Sequence, residues 1–357
     1  MSKLLEIITQ QAVNLLKEMI ATPSFSKEEW TTASIISKFL AKNEVASSRV
    51  ENNVFAQNLN FDLAKPTILL NSHHDTVKPN PGYTKDPFTP LEIGGKLYGL
   101  GSNDAGGPLV SLIATFLHFY KAENLKYNLV IAATAEEEIS GTGGIESIFQ
   151  HLPKIDCAIV GEPTQMQLAV AERGLMVLDC VATGKAGHAA RKEGENALYK
   201  ALSDIEWITM YSFEKTSELL GEVNMSVTVI ETENKAHNVV PDKCSFVVDV
   251  RVNELYTMEE VLQTVQTHIQ SKAQARSMRL RSTAITLDHP LVKAGLALGR
   301  NYYGSPTSSD KALMSFPALK LGPGDSARSH TADEYIFIDE INEGIALYIQ
   351  MLNQILL

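Results

Sequence analysis

Cysteine is scarce in this chain. Its 357 residues include three, Cys157, Cys180 and Cys244, widely spaced and odd in number. They supply neither a disulfide framework nor a C-x-x-C metal or redox pair, and they fit a reducing cytoplasm. Basic runs are missing too. Lysine and arginine number 31 against 42 acidic residues, a formal charge of −11, and no Lys/Arg block stands ready to neutralise phosphates. A nucleic-acid partner is therefore not expected. No stretch approaches the ~18 uninterrupted apolar residues of a membrane span. The N-terminal apolar positions Leu4, Leu5, Ile8, Val13, Leu15 and Leu16 are broken by Glu6, Gln10, Gln11 and Lys17. That pattern predicts an amphipathic helix in place of a signal peptide, and with it a cytoplasmic protein that stays off membranes.

What the chain does have is apolar material for a core, 44% of its residues, and a length that suits two domains or one elaborated one. Short apolar runs at 67–70, 128–133, 157–160 and 318–321 read as strands, most of them buried on both faces. Between them lie helix candidates such as 108–121, with Leu109, Leu112, Ile113, Phe116 and Leu117 on one stripe. The alternation predicts an α/β fold with a largely parallel sheet covered by helices. Residues 174–286 follow another order: strand 176–182, helix 197–211, strands 225–231 and 245–252, helix 258–271, strand 278–284. This β-α-β-β-α-β succession predicts an inserted ferredoxin-like α+β domain. The larger domain is then discontinuous, 1–173 and 287–357, with the insertion at 174–286.

In parallel α/β sheets ligands bind beyond the carboxyl ends of the strands. Each apolar run here is followed by metal-ligand chemistry. After Leu70 comes Ser72-His73-His74-Asp75; after Ala133, Glu136-Glu137-Glu138; after Val160, Gly161-Glu162-Pro163-Thr164; after Leu321, a glycine-rich loop ending in His330. Asp104 precedes the helix that starts near Pro108. Singly, such residues have ordinary explanations, since a carboxylate before a helix is commonly an N-cap. Their convergence on one sheet edge is what points to a site. Imidazole plus carboxylate without thiolate suits zinc, manganese or cobalt, with zinc the default in hydrolases. Three carboxylates crowded together would repel one another, whereas two divalent ions and one hydroxide bring the formal sum near zero, which favours a dinuclear site.

Five ordered motifs carry a family resemblance. Ser72-His73-His74-Asp75-Thr76-Val77, Tyr98-Gly99-Leu100-Gly101-Ser102-Asn103-Asp104, Thr134-Ala135-Glu136-Glu137-Glu138, Gly161-Glu162-Pro163-Thr164 and Ser329-His330-Thr331-Ala332-Asp333-Glu334 resemble, in order and spacing, those of the acetylornithine deacetylase and succinyl-diaminopimelate desuccinylase family. Its aminoacylase, dipeptidase and carboxypeptidase relatives are likewise co-catalytic zinc hydrolases. The resemblance implies two zinc ions per subunit, with cobalt or manganese as substitutes. Asp104 would bridge them, His73 and Glu162 would hold one, Glu138 and His330 the other. Asp75 would orient His73, and Glu137 would be the general base.

The inserted domain would be a lid and the contact of a homodimer. Its His188, in Gly187-His188-Ala189, resembles a family histidine that stabilises the oxyanion, often from the other subunit. Asn238 and Arg251 match positions that contact substrate. Lys311 and Arg328 are further candidates for the substrate carboxylate.

Departures are visible. Glu136 stands where the family usually has Asp, Leu100 replaces an Arg, and Ala105-Gly106-Gly107-Pro108 lacks the usual Lys. These bear on substrate choice. The expected substrate is a small N-acyl amino acid, with N-acetylornithine deacetylation in arginine biosynthesis leading; N-succinylornithine, N-acetylcitrulline, succinyl-diaminopimelate and dipeptides are the alternatives. A dinucleotide enzyme is disfavoured because Gly99-Leu100-Gly101 lacks the third glycine of G-x-G-x-x-G and carries Asp104 there. Neither a G-x-S-x-G elbow nor a P-loop occurs. A binding protein with the same fold and no catalysis would not need Glu137 together with all five ligands.

Overall fold

The computed structural model describes residues 3–191 and 193–357, with the backbone alone for residues 3 and 4, so the predicted packing of Leu4 lies outside the described residues. Runs that the sequence marks as apolar on both faces become the middle of a sheet. Thr67–His73, Asn128–Thr134 and Cys157–Val160 are buried at every position. Thr67–His73 runs parallel to both of the others, and Ala318–Lys320 lies parallel beside Cys157–Val160. Aliphatic side chains on both faces of these strands are stable because both faces are covered. The flanking strands Asn53–Gln57, Ser47–Val50 and Leu168–Glu172 are antiparallel.

The helix Gly107–Phe119 packs on this sheet and is buried nearly all round, because Lys3–Ile20 and Ile338–Leu356 cover it in turn. A helix that is apolar on every side belongs in such an inner layer. The opposite face carries a cluster of Phe55, Leu69, Val130, Ala132, Ile145, Ile148, Ala158 and Val160. Parallel pairing gives the central strands a common carboxyl edge, where His73, Ala135, Gly161 and Leu321 begin the connecting loops. A small sheet of Leu91–Ile93, Lys96–Tyr98 and Tyr335–Phe337 brings the stretch after Tyr98 beside the stretch before Tyr335.

The chain divides into two compact units: Met1–Val170, Ile285–Tyr303 and Ser309–Leu357 form the first, Ala171–Ala284 and Gly304–Ser308 the second. In the second, an antiparallel sheet orders Asn224–Glu231, Lys243–Val252, Gly174–Thr183 and Lys272–Ala275. The helices Ala197–Met210 and Met258–His268 cover one of its faces over Met176, Leu178, Phe246 and Val248. This is the ferredoxin-like arrangement. Its last strand differs from expectation. The helix stops at His268, short of 271, and the Asp204 carboxylate takes the N–H groups of Gln270 and Ser271 and the Ser271 hydroxyl. The edge strand therefore forms at once, at Lys272–Ala275. Of the expected strand 278–284, Thr283–Ala284 alone pairs, with Glu172 and Ala171. Among the described residues no helix is long and apolar enough to cross a membrane.

Candidate active site

The site is built from loops at the common edge of the first unit. His73 ends its strand fully buried, and its two ring nitrogens face different partners. Nδ1 lies 3.0 Å from the Asp75 carbonyl and 3.3 Å from an Asp75 carboxylate oxygen. A bond from Nδ1–H leaves Nε2 as the free lone pair, the form a metal ligand needs. Nε2 points at carboxylates: Asp104 Oδ1 at 3.3 Å, Glu162 Oε1 at 3.8 Å and Glu137 Oε2 at 3.9 Å. His74 is not part of this group. Its nitrogens are occupied by the Thr32 hydroxyl and the Asn52 carbonyl, each at 2.9 Å.

Asp104 lies in an irregular turn, Ser102–Gly106, and is followed by a cis peptide bond to Ala105. Its two oxygens face opposite ways, Oδ1 toward His73 and Oδ2 toward His330 Nε2 at 3.6 Å. Beneath the turn sits a residue that motif spacing did not single out. The Glu334 carboxylate is buried and accepts three backbone N–H groups, from Gly101 at 3.1 Å, Asn103 at 2.8 Å and Asp104 at 2.9 Å.

The three consecutive glutamates separate. Glu136 takes a left-handed conformation (φ 55°), gives its N–H to buried Glu29, and accepts the Gly143 N–H at 3.2 Å. Gly141 and Gly143 make room for it, since a Cβ on Gly141 would overlap its carboxylate. The longer side chain at this position is thus taken up by a glycine turn. Glu137 faces His73, whereas Glu138 Oε2 lies 2.9 Å from His330 Nε2. Asp75 underlies both glutamates, accepting the N–H of Glu137 and of Glu138 at 3.1 Å each, and the Ser26 hydroxyl at 2.7 Å. A further buried acid, Asp310, accepts the Thr134 hydroxyl at 2.7 Å just before this loop. Glu162 follows its strand with Gly161 held by the Ser72 hydroxyl.

Among the described residues the edge collects seven carboxylates, Asp75, Asp104, Glu137, Glu138, Glu162, Asp310 and Glu334, around the imidazoles of His73 and His330. Burial disfavours charge on His73, but Asp104 and Asp75, with Glu137 and Glu162, outweigh it and hold the imidazole well above its ordinary range. The Glu138 carboxylate raises His330 to about 9. Burial, reinforced by neighbouring acids, pushes Glu137 well above the carboxylate range, Glu334 to about 8 and Asp310 to about 6. Without cations the cluster must take up protons to exist. Donor atoms of His73, Asp104 and Glu138 all lie within 4.8 Å of one another, as do those of His73, Glu137 and Glu162. These two overlapping groups, which share His73, offer nitrogen and oxygen donors in an acidic, half-buried setting that fits hard or borderline divalent ions.

Residues 69–354 match the model of the peptidase family M20/M25/M40. The chain belongs to that family. It is 26% identical to succinyl-diaminopimelate desuccinylase 2 of Ruegeria sp. (strain TM1040), over 72% of this chain and 69% of that one. It is 29% identical to acetylornithine deacetylase of Myxococcus xanthus, over 78% and 77%. Among solved structures, the YXEP protein of Bacillus subtilis, a dinuclear metal binding peptidase of the M20 family, superposes with a TM-score of 0.71 at 15% identity and covers 98% of each chain. This M20/M25/M40 member is accordingly a metal-dependent amidohydrolase with the parallel sheet and inserted α+β unit expected of it.

The substrate candidates of this M20/M25/M40 chain fare unevenly. Lys311 is buried, with Nζ 3.4 Å from the Ala169 carbonyl, and Arg328 makes a bidentate pair with Glu340 at 2.6 and 3.0 Å. Both are tied into the first unit, a position that loop spacing could not reveal. His188, Asn238 and Arg251 lie in the second unit. The short strands Gly187–His188 and Val239–Val240 pair, and Ala189 N–H donates to the Asn238 carbonyl, so His188 and Asn238 are neighbours. Arg251 makes a two-point pair with Asp249.

Proposed function

We propose that the enzyme hydrolyses the amide bond of a small N-acyl amino acid, with N-acetylornithine the leading substrate and two zinc ions as the metal complement. The two-sided placement of Asp104, Oδ1 toward His73 and Oδ2 toward His330, carries this reading. A carboxylate so placed suits a bridge, with His73 and Glu162 on one side and Glu138 and His330 on the other. Cobalt or manganese would be accepted by the same nitrogen and oxygen donors. When bound, the ions supply Lewis-acid polarisation of the scissile carbonyl and of the attacking water.

The protein's own groups do the rest. Glu137, turned toward His73 beside Glu162, takes the proton of the attacking water, then returns it to the amine that leaves, so water and amide become a carboxylate and an amine. Asp75 keeps the His73 tautomer fixed and pins the backbone of the glutamate pair. His188 Nδ1 accepts the Ala190 N–H at 3.2 Å, which leaves its Nε2–H as the exposed donor for an oxyanion. Asn238 beside it contacts substrate, and Arg251, a third exposed (33%) in its pair with Asp249, exchanges that pair for the substrate carboxylate.

The pairing of two candidate cations supports a choice of acyl group. Lys311 and Arg328 are engaged inside the first unit, so neither awaits a second carboxylate on the acyl arm. This favours acetyl over succinyl. The unit 171–284 acts as lid and as the homodimer contact, in a protein that works in the cytoplasm. An exposed edge strand, Asn224–Glu231, and the exposed apolar side chains Tyr199, Leu202 and Met210 on the neighbouring helix support that role. The deciding assay compares N-acetylornithine, N-acetylcitrulline, N-succinylornithine and succinyl-diaminopimelate, with and without added zinc. Preference for a succinylated substrate would reverse the acyl assignment.

A further inference from the structure

A buried carboxylate with no access to a substrate can still decide how a metal site is shaped. Glu334 is 2% exposed, and its oxygens are filled by the backbone N–H groups of Gly101, Asn103 and Asp104. Those donors lie in, or in Gly101's case just before, the turn whose side chain, Asp104, faces both histidines. The Gly99 N–H adds a bond to the Glu334 carbonyl at 3.0 Å, so the turn is held by both the backbone and the side chain of one residue. A neutral glutamine cannot reproduce this, because its NH2 would meet a backbone N–H where an oxygen now accepts one.

The neighbouring acid has a different task. Asp333 accepts the N–H groups of Thr84 and Lys85 and pairs with Lys85 Nζ at 3.0 Å. Glu334 thus faces the Asp104 turn while Asp333 tethers a separate loop. The same short segment carries His330, four positions before Glu334. One stretch of chain therefore supplies a histidine for one end of Asp104 and fixes the backbone from which Asp104 projects.

We infer that Glu334 is the positioning residue of Asp104, setting the carboxylate so that both of its oxygens are available to two ions at once. The inference rests on the two-ion reading above. An acceptor of three amides is worth having at this point because a ligand displaced by a fraction of an ångström loses its second contact before its first.

The test is cobalt titration of chelator-stripped enzyme, followed by visible absorbance and calorimetry, for wild type, Glu334→Gln and Asp333→Asn. Wild type is expected to take two ions. Glu334→Gln should hold one ion and bind the second about 10–100-fold more weakly, with turnover reduced and KM little changed. Asp333→Asn should lose thermal stability yet keep both ions. Two ions bound by Glu334→Gln with unchanged affinity would overturn the inference and leave the two-ion reading intact; failure of wild type to bind a second ion would remove that reading itself. If Glu334→Gln does not fold, Glu334→Asp, too short to reach all three amides, serves instead. Tight binding of two ions by Glu334→Asp would be equally decisive against it.

Discussion

Asp75 holds the backbone N–H of Glu137 at 3.1 Å. The same carboxylate takes the N–H of Glu138 and sits against His73 Nδ1, so one side chain orients three members of the site. Asp75→Asn is expected to lower turnover about 10–100-fold. An amide would turn a donor toward one of the N–H groups or toward the imidazole. Steady-state kinetics at saturating metal measures this, and a turnover number within twofold of wild type would show that Asp75 is dispensable for alignment.

Glu137→Gln keeps the shape of the side chain and removes its basicity. Hydrolysis should fall by about 10³-fold or more, while metal content by elemental analysis stays near that of wild type. Retained turnover would end the assignment of Glu137 as the base, and loss of metal would move it into the ligand set with His73 and Glu162, a grouping its position also permits.

His188→Ala separates transition-state from ground-state contacts. Loss of an oxyanion donor should cost about 10²–10³ in turnover with KM altered little. An unchanged turnover number would make His188 a bystander, and a rise in KM alone would make it a substrate-binding residue.

Stripping the metal should make stability strongly dependent on pH. Burial raises Glu334 to about 8 and Asp310 to about 6, and neighbouring carboxylates raise His330 to about 9. Each of these groups holds its proton more tightly folded than unfolded, so its favourable contribution is complete below its unfolded value and disappears as pH climbs through its folded one. Asp75 and Asp104, held low by His73 against burial, act oppositely and lose their contribution only in acid. The melting temperature of chelator-treated protein should therefore fall from pH 5 to pH 9, by about 5 °C or more, with a shallower slope after metal is restored. A melting temperature that rises over that interval would contradict the picture of an acid cluster kept by protons.

The sequence made the frame of the site legible because ligand chemistry follows each parallel strand directly, and position in the chain translates into position at one edge. His73, Glu138, Glu162 and His330 fall at the edge by this rule, whereas Asp104, after the antiparallel strand Lys96–Tyr98, stands out only as a carboxylate before a helix. Glu334 and Asp310 could not be read this way, although Glu334 closes the last motif, because a carboxylate that accepts backbone amides or a buried hydroxyl leaves no spacing signature. Charge was the most misleading signal. Lys311 and Arg328 looked available in a linear reading, yet one is buried and the other is bound to Glu340. The edge strand of the second unit was displaced for a related reason, since Asp204 captures the amides that would have extended the helix.

The pairing of Glu138 with His330 spans 192 residues of chain. During synthesis the glutamate half of that pair leaves the ribosome long before the histidine half exists. A nascent chain can therefore form its central strands before the partner of Glu138 exists, and under the proposed ligand set one ion site is completed only in the last part of translation. A chain interrupted before residue 330 would lack this histidine and, with it, the helix Ile338–Leu356 that covers the inner helix Gly107–Phe119.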